Sequence, residues 1–87
     1  MEEICIDVSE LAPPEPMTQI LMALSRLAEQ EYLKVIHRRE PFPLYEKLSA
    51  NGWGFSCRQI SPDCFHLYIY KEADKASFEH SMGLNSQ

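Results

Sequence analysis

Leu33-Lys34-Val35-Ile36-His37-Arg38-Arg39-Glu40-Pro41-Phe42-Pro43-Leu44-Tyr45 is the stretch on which the fold turns. Leu33 and Val35 alternate with Lys34 and Ile36 at the two-residue period of a strand. Glu40-Pro41-Phe42-Pro43 breaks that period, and Leu44, Tyr45 and Leu48 then recur at helical spacing. The same order occurs earlier: Ile4-Cys5-Ile6-Asp7-Val8, then Pro13-Pro14-Glu15-Pro16, then Met17, Ile20, Leu21, Leu24, Leu27 and Ala28 at helical spacing. Two such units predict parallel strands joined by a crossover helix, a connection that is almost always right-handed. Both turns then leave the sheet on one edge. Open α/β sheets bind ligands outside the carboxyl ends of their strands.

Working outward, the first helix is expected over about residues 15–30, with Pro16 in its first turn, where the missing N–H costs nothing. A second strand runs from Tyr32 to Arg38. A shorter helix opens at Pro43 and stops at Asn51-Gly52. Strands over 53–60 and 64–71 follow, joined by Ser61-Pro62-Asp63. The order is βαβαββ. It predicts an α/β (α+β) two-layer sandwich, a four-stranded mixed sheet with two helices on one face and the other face open. Beyond Glu72 no apolar period is sustained, so the expectation is one folded domain over residues 1–71 and a mostly disordered tail over 72–87, with a short helical stretch around Phe78 as the exception.

An 87-residue chain holds one domain and one small core. Its formal charge of −5, with no basic stripe, argues against nucleic acid as partner. No run approaches the length of a membrane span, and the N-terminus lacks a signal pattern, which predicts a cytoplasmic protein. Three cysteines, Cys5, Cys57 and Cys64, are an odd count that fits free thiols in a reducing compartment. No cofactor is expected.

Ile6-Asp7-Val8 leading to Leu11-Ala12-Pro13-Pro14-Glu15-Pro16, together with His37-Arg38-Arg39-Glu40-Pro41-Phe42-Pro43-Leu44-Tyr45, resembles the TusA-like (SirA-like) superfamily. Within it the chain is similar to the uncharacterised family labelled domain of unknown function 2249, over roughly Ile4 to Lys71. The resemblance implies the TusA-like βαβαββ fold. In TusA-type sulfur carriers a cysteine before Pro-Glu-Pro takes up a persulfide. Pro13 stands at that position here, so the carrier chemistry does not transfer to it. Ala28-Glu29-Gln30 also replaces the family's glycine-containing turn before the second strand, which leaves the end of the first helix open.

The double-turn edge is the leading candidate site. Two helix N-termini would offer N–H groups and positive dipole ends to an anion, with His37, Arg38 and Arg39 adding donors. Glu15 and Glu40 oppose this, and the plainer reading is that Glu and Pro simply start two helices. Pro13, Pro14, Pro16, Pro41 and Pro43 fix the turn geometry on either reading. His37 shares parity with Leu33 and Val35. Its simplest role is a histidine satisfied by backbone or Glu40, and its sharper one a general base or metal ligand.

Cys57, Cys64 and His66 lack zinc-type spacing, and no metal is expected. The hairpin would set Cys64 near Ile60, away from Cys57. On the open face Ile36, His66, Tyr68 and Tyr70, joined by Cys5, form either ordinary half-exposed strand residues or a docking surface for a homodimer or another protein. The sequence thus points to a non-enzymatic accessory domain that binds a small anionic ligand or a partner protein at its two helix N-termini. The rivals are sulfur trafficking or redox work through Cys5 or Cys57, and an enzyme built on His37 and Glu40, for which so small a domain has little pocket depth.

Overall fold

The computed structural model describes residues 1–83. Its elements are β1 (Glu2–Asp7), α1 (Glu15–Ser25), β2 (Glu31–His37), α2 (Phe42–Ala50), β3 (Trp53–Ser61), β4 (Cys64–Lys71), a 3-10 turn (Glu72–Asp74) and α3 (Lys75–Ser81). The four strands form one mixed sheet in the order β1-β2-β4-β3. β1 and β2 are parallel, with Ile4 beside Leu33 and Ile6 beside Val35. β4 lies antiparallel to both of its neighbours, pairing Leu67 with Val35 and with Cys57. Through its first six elements the fold is the βαβαββ sandwich that the alternating strands and proline-led helices predict.

One stripe on each helix seals this sandwich. Ile20 and Leu24 of α1 and Leu44 and Leu48 of α2 are buried against Leu33, Val35, Leu67 and Ile69 of the sheet. Burying each such side chain contributes about 1.5–3 kcal/mol, so these few contacts dominate the stability of so small a domain. α2 ends as its sequence suggests. The Asn51 side-chain amide donates to the Lys47 carbonyl at 2.7 Å, and Gly52 takes a left-handed φ of 81°.

α1 is shorter than its apolar period suggests. It stops at Ser25 rather than near residue 30, and the chain turns through 26–30 before β2. Gln30 there has φ of 66°, the left-handed conformation that glycine adopts most easily. Gln30 thus takes a conformation that glycine favours without being one, and Leu27 still packs on the core as a partly buried side chain.

The tail differs more. Residues 72–83 are folded, so the expected disorder from Glu72 does not hold there; residues 84–87 lie outside the described part of the chain. The cause is one aromatic anchor. Phe78 of α3 is 1% exposed and packs on the second sheet face, stacked on Tyr70 at 4.2 Å between ring centroids and edge-on to Tyr32 at 5.1 Å. Tyr70, expected on an open face, is therefore buried, and Tyr68 borders the same cluster. The second face is half covered by a third helix.

Gly54 makes room for this. It pairs with Tyr70 across the β3–β4 ladder, and a Cβ placed on it would lie 2.6 Å from Tyr70 Cζ and 2.8 Å from its Oη. Phe78 pins the Tyr70 ring, so the clash has no cheap relief. Gly54→Ala is expected to destabilise the domain by about 1–3 kcal/mol, and Phe78→Ala by about 3 kcal/mol, in denaturant unfolding. Because both act by undocking α3, the double variant should lose less than the sum. Simple additivity would show that Gly54 does not act through this stack.

Candidate functional site

Because β1 and β2 are parallel and level, the chain leaves both at one edge, and the Val8 N–H donates to the Ile36 carbonyl at 2.9 Å just beyond the ladder. The two proline turns consequently face each other. Between them lies a groove of about 460 Å3 lined by Pro13, Pro14, Pro16, Met17, Ile20, His37, Arg39, Glu40, Pro41, Pro43 and Leu44. All five prolines singled out from the sequence line it, together with three of the five charged or titratable candidates. Glu15 and Arg38 are exposed and are not among its lining residues.

His37 closes β2, half-buried and paired with Phe65 of β4. Its Nδ1 accepts the backbone N–H of Arg39 at 3.2 Å, which leaves the ring proton of the neutral form on Nε2. Of the two simple partners foreseen for it, the backbone is the one present. Burial, and then the nearby Arg39 and Arg38 guanidinium groups, hold its pKa below the ordinary 6.5. The imidazole is therefore neutral at pH 7.

Glu40 is fixed from the other side. The Tyr45 hydroxyl donates to its Oε2 at 3.0 Å, and the Tyr45 ring stacks on Phe55 at 4.3 Å between centroids. Burial pushes the Tyr45 phenol far up, with Cys57 and Glu40 beside it adding to the shift. Tyr45 escaped notice in the sequence because it sat in the helical period as a packing residue. Its position five residues after Glu40 was the available signal.

The helix ends offer an anion less than expected. In α1 the Glu15 N–H already donates to the Ala12 carbonyl at 2.9 Å, and Pro16 has no N–H. In α2 the Phe42 N–H donates to the Glu40 carbonyl and the Leu44 N–H to the Pro41 carbonyl, each at 3.0 Å, while Pro43 has no N–H. The groove is thus mainly apolar, with one guanidinium, one anchored carboxylate and one neutral imidazole at its rim.

The cysteines sit elsewhere, and all three are free. Cys5 is exposed on β1 beside Lys34; Cys57 lies on the helix side of β3, where burial pushes its thiol pKa up; Cys64 pairs with Ser61 at the β3–β4 turn. A bulge between Gln59 and Ser61 shifts that last pairing by one residue from Ile60. Cys57 pairs with Leu67 and His66 with Arg58, so the cysteine and the histidine point to opposite faces of the sheet and do not form one ligand set.

A family model described as "Uncharacterized conserved protein (DUF2249)" matches residues 5–71. The chain belongs to this family. Searches among curated proteins and among solved structures find no match. The DUF2249 match spans from β1 to the end of β4, so it includes every residue of the groove and stops where the turn into α3 begins. No helix among the described residues is long and apolar enough to cross a membrane.

The depressed His37 pKa carries a pH signature. The unfolded chain takes up this proton near pH 6.5 and the folded domain only at lower pH, so the unfolded state binds more protons in between. The His37 contribution to stability should be level above about pH 6.5 and fall as the pH drops below it. In His37→Gln that early fall should vanish. An NMR titration of His37 with a midpoint at or above 6.5 would contradict the assignment.

Proposed function

We propose that this domain is a non-enzymatic binding module whose ligand lies in the proline-walled groove between the N-termini of α1 and α2. The ligand's apolar body rests on Pro16, Met17, Ile20 and Leu44, and its anionic end faces Arg39 and the Nε2–H of His37. The observation that carries this reading is the composition of the groove. Small-molecule sites are typically concavities of about 300–1,000 Å3, mostly apolar, with a few placed polar groups that set orientation. A bare anion is a poorer fit, because the prolines remove first-turn N–H donors and Glu40 opposes negative charge.

The resemblance to TusA-type carriers supports a ligand at the first βα turn, while Pro13 supplies no thiol for sulfur transfer there. Cys5 is exposed and keeps a sulfur-handling reading in view, but it lies mid-strand on the opposite sheet face, away from both helix N-termini.

The test is an NMR titration with hexanoate and phenylacetate as apolar carboxylates and inorganic phosphate as the bare anion. The carboxylates should give saturable shifts at His37, Arg39 and Leu44 at millimolar concentration, and phosphate should give none. Arg39→Ala should weaken the carboxylates about five- to tenfold with a stability change under about 0.5 kcal/mol. Binding should tighten as the pH falls and His37 gains its proton. Shifts for phosphate alone, or unfolding of Arg39→Ala, would overturn the assignment.

A further inference from the structure

We propose that the ligand of the proline-walled groove is a free α-amino acid with a large apolar side chain, its carboxylate on Arg39 and its ammonium on Glu40. This rests on the binding reading given above and adds a second charge to the ligand. At pH 7 the rim of the groove holds one guanidinium, one carboxylate and one neutral imidazole. The rim therefore carries both signs of charge and no net charge. A monoanion matches half of it, and a zwitterion matches both halves. Arg39 and Glu40 are consecutive residues lining one groove, and the two charged groups of an α-amino acid share one carbon.

The fold uses the Glu40 side chain only in part. Glu40 precedes Pro41, the N-cap of α2, yet α2 has no side-chain capping bond, so the carboxylate does not complete the helix end. Its Oε2 accepts the Tyr45 hydroxyl at 3.0 Å, a contact for which a neutral oxygen would serve. Oε1 takes no hydrogen bond from the described residues. The side chain is also held in place. The Tyr45 ring stacks on Phe55 at 4.3 Å and meets Phe42 edge-on at 5.8 Å between centroids, which fixes the hydroxyl that grips Glu40. A fixed carboxylate oxygen beside an apolar floor is a pre-organised acceptor for an ammonium, which has three N–H donors to satisfy.

The floor selects the side chain. Apart from His37, Arg39 and Glu40, every residue lining the groove is a proline, methionine, isoleucine or leucine. A polar ligand side chain would lose its water there without gaining a partner. Leucine, methionine or phenylalanine would instead cover Pro16, Met17, Ile20 and Leu44. A peptide end carries one of the two charges and would leave either Arg39 or Glu40 unmatched.

The test compares three ligands of one shape by NMR titration of the full chain at pH 7: L-phenylalanine, 3-phenylpropionate, which lacks the ammonium, and 2-phenylethylamine, which lacks the carboxylate. L-phenylalanine should bind at least about fivefold more tightly than either, with saturable shifts at His37, Arg39 and Leu44. In Glu40→Gln, which keeps an oxygen for the Tyr45 hydroxyl, L-phenylalanine should weaken about fivefold while 3-phenylpropionate binds as well as before or better. The comparison of the three ligands on the unaltered chain stands even where that variant does not fold. An affinity for 3-phenylpropionate equal to or above that for L-phenylalanine overturns the amino-acid assignment and leaves the carboxylate reading of the groove standing. Tighter binding of 2-phenylethylamine, or L-phenylalanine binding unchanged in Glu40→Gln, also overturns it. Shifts from none of the three overturn both readings.

Discussion

Parallel pairing of β1 with β2 is the constraint from which the groove and the make-up of both sheet faces follow. With Ile4 level with Leu33 and Ile6 with Val35, the two strands end together, and both proline turns must emerge on one edge. The same register fixes parity. Ile6 and Val35 face the helices, so Cys5 and Lys34 face away. A slip of one residue would take His37 out of the groove and bring Lys34 into the helix-facing core. The register is held because such a slip would also expose Leu33 and Val35, each fully buried, at about 1.5–3 kcal/mol apiece.

Prolines do two opposing things at the groove. They pre-set the entry angle of α1 and α2 and wall the cavity with rigid apolar surface, which lowers the entropy cost of ordering a bound ligand. They also remove the N–H groups on which an anion would be held. With the first-turn donors of Phe42 and Leu44 taken by nearby carbonyls, the proposed recognition of charge rests on the side chains of Arg39, Glu40 and His37. Tyr45 fixes Glu40 and the Arg39 backbone fixes His37, whereas the Arg39 guanidinium stands on an exposed residue. In the proposed binding reading, the guanidinium is the rim group free to follow a ligand.

Much of this was legible in the sequence because it rests on periods. The strands show as alternation, the helices as Ile20/Leu24 and Leu44/Leu48, and the common edge as two proline runs in equivalent places. What escaped were features set by one residue. Phe78 stands alone in a polar tail, and its burial depends on Tyr32 and Tyr70, which lie far off in sequence and meet it only across the completed sheet. Gln30 adopts a conformation usually marked by glycine, so α1 ended before its apolar period did. Tyr45 looked like packing, which its ring is; its hydroxyl is what holds Glu40.

The coverage of the second face by α3 also shows how its aromatic residues are accommodated. Burying Tyr32 and Tyr70 needs an apolar anchor but no cations, and Tyr32 satisfies its hydroxyl by donating to Glu3 at 2.8 Å. That arrangement uses a carboxylate from β1 at the covered end of the sheet. At the other end of the same strand the Asp7 carboxylate accepts the Ser9 N–H and hydroxyl, and these hydrogen bonds hold its carboxyl below the usual carboxylate range. β1 thus carries a hydrogen-bonded carboxylate on the second face near each end, Glu3 held by Tyr32 and Asp7 held by Ser9. Replacing Ser9 by Ala would remove the hydroxyl donor and let the Asp7 pKa rise toward its ordinary value.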